Sequence, residues 1–244
     1  MRVILDQNLE KSNNTAAFNY LSAHGVHVAW ASSTYAATHQ KTITVDDVTS
    51  AIMSGNLTSQ YYSTSRDFAV IENNSFDVKA IEKVFNADYA HTAITPTDGD
   101  HLVWSPTDSQ TQLLALINGA SSTLSVENEE MGDPAVTAAL ENAAHRGVTV
   151  QVIMTNDDNE YASEFTALTA AGAHVRTYAY TASLYIHAKV ILTDGAQVFV
   201  GSENFSNASL NKNRELGFLT NNASIISSIG TTLASDYAGG AVWS

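Results

Sequence analysis

Two histidines in this chain, His39 and His187, each stand two residues before a lysine (Lys41, Lys189) and seven before an aspartate (Asp46, Asp194). Fifteen residues after each histidine comes a serine, Ser54 or Ser202, and two further on an asparagine, Asn56 or Asn204. The copies are separated by 148 residues, and the same offset carries Arg66-Asp67 onto Arg214-Glu215, Asn73-Asn74 onto Asn221-Asn222 and Asp88-Tyr89 onto Asp236-Tyr237. Upstream, "LSAHGVHV" falls on "LTAAGAHV" at an offset of 147. The chain is thus two copies of one unit. Polar residues held at matching places point to a site that draws on both. Lys41 and Lys189 lie among apolar neighbours in strand-like runs, where an ammonium is costly to bury without an anion, so a bound anion is the better explanation of each.

The elements that must position these residues follow from hydrophobic periodicity. Asp194-Gly195 between two alternating apolar runs predicts a hairpin with a two-residue turn. Counting back from that turn pairs Lys189 with Val200 and His187 with Ser202. Residues two apart on a strand share a face, so His187, Lys189, Ser202 and Asn204 are expected on one side, with Val190, Leu192 and Phe199 on the other. The first copy repeats this, with Asp46-Asp47 at the bend. Elsewhere in the second copy, Gln110 to Asn118 reads as a helix closed by Gly119, followed by the strand "STLSVENE". Asp133 can cap a further helix that begins at Pro134 and ends before Gly147. "VTVQVIM" and "HVRTYAY" read as strands flanking a helix that ends at Gly172. This alternation predicts an α/β layered fold.

The doubled H-x-K-x4-D, followed in the second copy by G-S-x-N, resembles the HKD signature of the phospholipase D superfamily. The resemblance spans nearly the whole chain through the repeat. It implies two α/β halves related by a pseudo-twofold, with the active site at their interface, and a phosphodiester split without metal or other cofactor through a covalent phosphohistidine. In-line displacement at phosphorus needs a nucleophile on one side and a proton donor for the leaving oxygen on the other. By analogy His39 is the nucleophile and His187 the general acid, the reverse assignment being open. Lys41, Lys189, Asn56 and Asn204, with Ser54 and Ser202, would surround the non-bridging oxygens and stabilise charge there. Asp67 and Glu215, each 28 residues after a motif histidine, are candidates to fix the imidazole tautomers. Asp46 and Asp194 have a local structural role at the turns. The family's glycine is present as Gly201 but is Met53 in the first copy, which bears on substrate access.

The halves are expected at 1–98 and 99–244, the first lacking roughly 50 N-terminal residues that the second has. With 244 residues and 44% apolar content the chain can bury a sizeable core. A formal charge of −14 with only 11 Lys and Arg disfavours strong contact with nucleic acid or anionic membrane. The absence of cysteine excludes disulfides and thiolate metal sites. No apolar run approaches the ~20 residues of a membrane helix. The expected activity is hydrolysis of a phospholipid head group, with possible transfer to an alcohol. Alternatives are a nuclease, an inactive phosphate-binding relative, or a synthase joining two phospholipids. A secreted or extracytoplasmic location is expected over a cytoplasmic one. "SVENEEMGD", with Glu127, Glu129, Glu130 and Asp133, reads as a solvated strand end running into a helix cap. His24, His27, His91, His101, His145 and His174 read as structural.

Overall fold

The computed structural model describes residues 1–59 and 62–244. The first copy forms β1 (Arg2–Leu5), α1 (Lys11–Ala23), β2 (His27–Trp30), β3 (Lys41–Val45), β4 (Thr49–Met53), β5 (Ser65–Arg66), β6 (Ala69–Glu72) and α2 (Ser75–Tyr89). The second forms β7 (Leu102–Ser105), α3 (Ser109–Gly119), β8 (Thr123–Glu127), α4 (Pro134–His145), β9 (Thr149–Asn156), α5 (Ala162–Ala170) and β10 (His174–Ala179). It continues with β11 (Tyr185–Ile186), β12 (Val190–Thr193), β13 (Gln197–Gly201), α6 (Asn207–Asn211), β14 (Glu215–Thr220), α7 (Ala223–Gly239) and β15 (Ala241–Val242).

Local sequence explains the boundaries. Asp133 accepts from the backbone N–H groups of Ala135 and Val136 and so starts α4 at Pro134. Gly147 and Gly172, in left-handed conformations, follow the ends of α4 and α5. The helix caps repeat with the sequence. Asn74 accepts from the N–H of Phe76 at the start of α2, and Asn222, its counterpart, accepts from Ser224 and Ile225 at the start of α7.

The second copy builds one eight-stranded sheet in the order β15-β10-β9-β8-β12-β13-β14-β7. Its parallel strands β8, β9 and β10 lie side by side, and β9, the central one of the three, carries Val152, Ile153 and Met154 in a run that is buried on both faces. The first copy repeats the pieces but not the join. Its parallel pair β1-β2 stands where the second copy has β9-β10, and its antiparallel trio β3-β4-β6 stands where the second has β12-β13-β14. Among the described residues, only the second copy has a strand, β8, that pairs with both pieces and fuses them.

Two apolar clusters result. One lies between the copies, where Ile52, Val70, Ile81 and Val84 of the first meet Val190, Val198, Val200 and Phe218 of the second. The other lies inside the second copy, where α3, α4 and α5 cover a sheet face that includes Ile191 and Phe199. On the first copy the equivalent face carries Ile43, Val45 and Ile71, and these are 45%, 55% and 66% exposed.

The hairpin register departs from the expectation by one residue. The Asp194-Gly195 turn forms, with both residues at positive φ and the N–H of Ala196 donating to Thr193. The ladder, however, pairs Thr193 with Gln197 and Val190 with Val200. Ala196 is therefore an extra residue, a β-bulge directly after the turn. The first copy has the same bulge: Val48 donates to Val45, while Val45 pairs with Thr49. Because side chains alternate, the slip changes the face assignment. Lys189 stands opposite Gly201 rather than Val200, and Phe199 joins Ile191 in the other cluster instead of sharing a face with Val190.

Candidate active site

The copies are pinned to each other by reciprocal bonds. The backbone N–H of His39 donates to the carbonyl of Arg214 (2.9 Å), and that of His187 donates to the carbonyl of Arg66 (3.2 Å). The arginine side chains also cross. Arg66 grips Asp236 at 2.5 and 2.9 Å, and Arg214 pairs with Asp88 at 2.9 Å, so each copy's final helix is tied to the other copy's site strand. The identical 148-residue relation in both sets makes the pseudo-twofold explicit.

The same crossing fixes the imidazoles. His39 Nδ1 lies 2.8 Å from Glu215 Oε2, and His187 Nδ1 lies 2.8 Å from Asp67 Oδ1. Each histidine is oriented by the carboxylate of the opposite copy. An ionised carboxylate only accepts, so Nδ1 carries the proton and Nε2 is the ring atom left to react. Burial works against ionising Glu215, but His39, Lys41 and Ser209 outweigh it and hold the carboxyl down at about 2. Asp67 is likewise lowered, its burial offset by His187 and by hydroxyls from Ser65 and Ser54. Neither is a surface carboxylate: Glu215 is fully buried, and the side chain of Asp67 is 22% exposed.

Lys41 and Lys189 are both buried, and each donates through Nζ to the carbonyl of the histidine two residues before it at 2.5 Å. They differ in their ionic surroundings. Burial lowers Lys41 to about 7, with Glu215 pulling partly back. Lys189 is paired with Glu129, whose Oε2 is 2.9 Å from Nζ.

Asn56 and Asn204 both reach the site. Asn56 Nδ2 is 3.4 Å from His187 Nε2, and Asn204 Nδ2 donates to Glu129 and Glu130. Ser54 and Ser202 do not meet the expectation of substrate binding. Both are fully buried, and their hydroxyls accept the backbone N–H groups of Phe68 and Leu216, so they fasten the motif strand to the carboxylate-bearing strand. Ser54 also donates to Asp67.

Asp194 accepts from the backbone and hydroxyls of Ser121 and Ser122 and from the backbone of Thr123, and these bonds hold its carboxyl well below the usual range. It staples the start of β8 to the hairpin. Asp46 occupies the matching turn at φ 55°. Gly201 leaves no room for a side chain, since a Cβ there would fall 2.7 Å from the Cα of Gly217 and collide with Phe199 and Glu203. Met53, its counterpart, instead lines an open cavity of about 360 Å³ with Leu57, Tyr62, Phe68, Asn56 and His187.

The run "SVENEEMGD" is where the expectation fails most. Glu127, Asn128 and Asp133 are buried, and Glu129 and Glu130 face a second cavity of about 280 Å³ shared with Asp157, Glu160, Tyr161 and Tyr185. Glu129 bridges the cavities, because its Oε2 is 3.4 Å from His187 Nε2. Burial opposes its ionisation, but Lys189 and His187 prevail and hold it at about 2. The run looks solvated in sequence because β8 gives no hint that it lies beside β12, which carries the site into its neighbourhood.

Among the described residues one cluster has metal-ligand composition, Glu72, Asp77 and His101. Asp77 Oδ1 accepts the backbone N–H groups of Asp100 and His101 and Oδ2 bonds His101 Nδ1, which accounts for the group as a tie between α2 and the inter-copy link.

Residues 1–89 and 113–237 match the family model described as cardiolipin synthase, PLD-like domain. A cardiolipin synthase A from Pseudomonas syringae pv. syringae (strain B728a) is 36% identical over 109 residues, covering 43% of this chain and 22% of that protein. The match thus spans about a fifth of the length of that relative. The phospholipase D family member Nuc from Salmonella typhimurium superposes with a TM-score of 0.53 at 24% identity, over 58% of this chain and 95% of Nuc. Polyphosphate kinase from Porphyromonas gingivalis gives 0.70 at 13% identity, over 96% of this chain and 38% of the kinase. At these identities the two structures share the fold alone.

Proposed function

The chain belongs to the phospholipase D-like family, and from that premise we propose that it is a phosphodiesterase that splits phospholipid head groups through a phosphohistidine. The observation that carries the reading is the crossed pairing of two imidazoles with two carboxylates. His39, the more exposed of the two rings, attacks phosphorus through Nε2 as the bond to the head-group oxygen breaks. His187 gives that oxygen its Nε2 proton, and the alcohol departs. A water then enters, loses a proton to His187 and attacks phosphorus, releasing phosphatidic acid and restoring both rings. An alcohol in place of water gives transfer. Lys41, Lys189 and Asn56 stabilise the charge on the non-bridging oxygens.

Two features favour a lipid over a nucleic acid. The cavity beside His187 carries Met53, Leu57, Tyr62 and Phe68, which suit the apolar part of a lipid. The neighbouring cavity is lined by carboxylates, which repel a polyanion and tolerate a neutral or cationic head group. The test is an assay with EDTA against phosphatidylcholine vesicles and single-stranded DNA, with quenching in alkaline denaturant during turnover, where the phosphorus–nitrogen bond survives. Lipid cleavage with the phosphatidyl group trapped on histidine, lost in His39→Ala, is expected; cleavage of DNA alone would refute the assignment.

A further inference from the structure

We propose that Glu129 is a resident anion that fills the second copy's half of the phosphoryl seat, and that a phosphate group enters by displacing it. This rests on the phosphodiesterase reading and adds a residue that governs entry. One carboxylate oxygen, Oε2, stands 2.9 Å from Lys189 Nζ, 3.3 Å from Asn204 Nδ2 and 3.4 Å from His187 Nε2. These three groups belong to one motif and are the ones a phosphoryl oxygen would use. The other oxygen, Oε1, accepts from Tyr185 Oη at 3.2 Å.

The repeat supplies the control. Lys41 makes the same bond to its histidine's carbonyl as Lys189 does, yet among the described residues no carboxylate lies within ion-pair distance of its ammonium. The first motif's lysine is therefore open to an incoming anion, and the second's is occupied.

Displacement needs only a side-chain rotation. The backbone around Glu129 is pinned by Asn128, whose Oδ1 accepts the N–H groups of Glu130 and Phe205 and whose Nδ2 donates to the carbonyl of Glu203. Glu129 also lines the 280 Å³ cavity, which gives its carboxylate somewhere to go. A phosphodiester monoanion takes the carboxylate's place at Lys189, while the displaced Glu129 moves towards Glu130, Asp157 and Glu160, so entry carries an electrostatic cost. A dianion adds a negative charge beside Glu130, Asp157 and Glu160, so Glu129 also disfavours monoester products.

The experiment is titration of the full chain with inorganic phosphate by isothermal calorimetry, for wild type, Glu129→Gln, Glu129→Asp and the exposed control Glu10→Gln, each checked by circular dichroism and thermal melting. Glu129→Gln is expected to bind phosphate about tenfold tighter, as removal of a competing partner of a buried charge should do. Glu129→Asp, which keeps the charge but retracts it, should fall between, and Glu10→Gln should match wild type. A folded Glu129→Gln whose affinity is unchanged within twofold, or is weaker, overturns the proposal. If wild type meanwhile turns over phosphatidylcholine, the phosphodiesterase reading survives that result. Absence of phosphate binding in every variant together with absence of turnover overturns both.

Discussion

At the scale of single residues the first copy's lysine has the most measurable behaviour. Burial lowers Lys41 to about 7, far below the ~10.4 of a lysine in water. If its ammonium stabilises the transition state, kcat/KM in the free enzyme should decline as pH rises through about 7, and Lys41→Met should lose ~100-fold or more in activity together with that basic limb. Stability has the opposite dependence. Between about 7 and ~10.4 the unfolded chain binds a proton that the folded chain does not, so stability rises with pH across that window and the cost of Lys41 is fully present below it. Melting curves should accordingly show Lys41→Met stabilised relative to wild type more at pH 6 than at pH 9. The residues that the repeat marks twice, both histidines, both lysines and the Asp67/Glu215 pair, were legible in the sequence because duplication filters chance. Glu129 was not, since it has no repeated partner and its acidic neighbours resemble a solvated strand end.

The same run decides a prediction at the scale of elements. Glu127 ends β8 with its carboxyl fully buried near the Arg66–Asp236 pair, and burial, with Asp236, raises it to about 9. Its folded value exceeds the unfolded one, so the folded state holds a proton between about 4.5 and 9 that the unfolded state releases, and stability falls as pH rises through that window. Glu127→Gln keeps the shape and removes the titration. Its melting temperature at pH 8 should exceed that of wild type, by roughly 2–4 °C for each kcal/mol relieved in a chain of this size, and the two should converge near pH 4. A Glu127→Gln protein that is less stable at pH 8 would mean the carboxylate is ionised and paired in the fold. Strand and helix types were readable from apolar alternation, from Asp133-Pro134 and from the glycines after α4 and α5. The hairpin register was not. Asp-Gly specifies the turn, but it does not say whether the ladder resumes at once or after an extra residue, and the bulge at Ala196 and at Val48 shifts every later pairing by one.

For the whole molecule, the repeat showed that two units exist but not that their partners cross. Arg66, Arg214, Asp88 and Asp236 were visible as matched positions, and only the folded chain shows each arginine reaching the other copy's helix. The pseudo-twofold holds for the crossed histidine–carboxylate and arginine–aspartate pairs and is broken at Glu129 and at the periphery, where the break has a consequence in solution. In the second copy the sheet face carrying Ile191 and Phe199 lies beneath helices, whereas its first-copy equivalent presents Ile43 and Val45 of β3 and Ile71 of β6, the two strands that flank β4, to solvent. Contiguous apolar surface of this kind favours association, and the open edge of β3 adds unpaired backbone groups to it. This chain should therefore show a weight-average mass that rises with concentration in sedimentation equilibrium. Ile43→Thr, Val45→Thr and Ile71→Thr combined should bring it towards the monomer, because threonine keeps the β-branched shape while giving the face hydroxyls that water can satisfy. None of the three side chains reaches the histidine–carboxylate pairs, so turnover per chain should persist. A strictly monomeric wild type at high concentration would show that this face is too small or too divided to drive association.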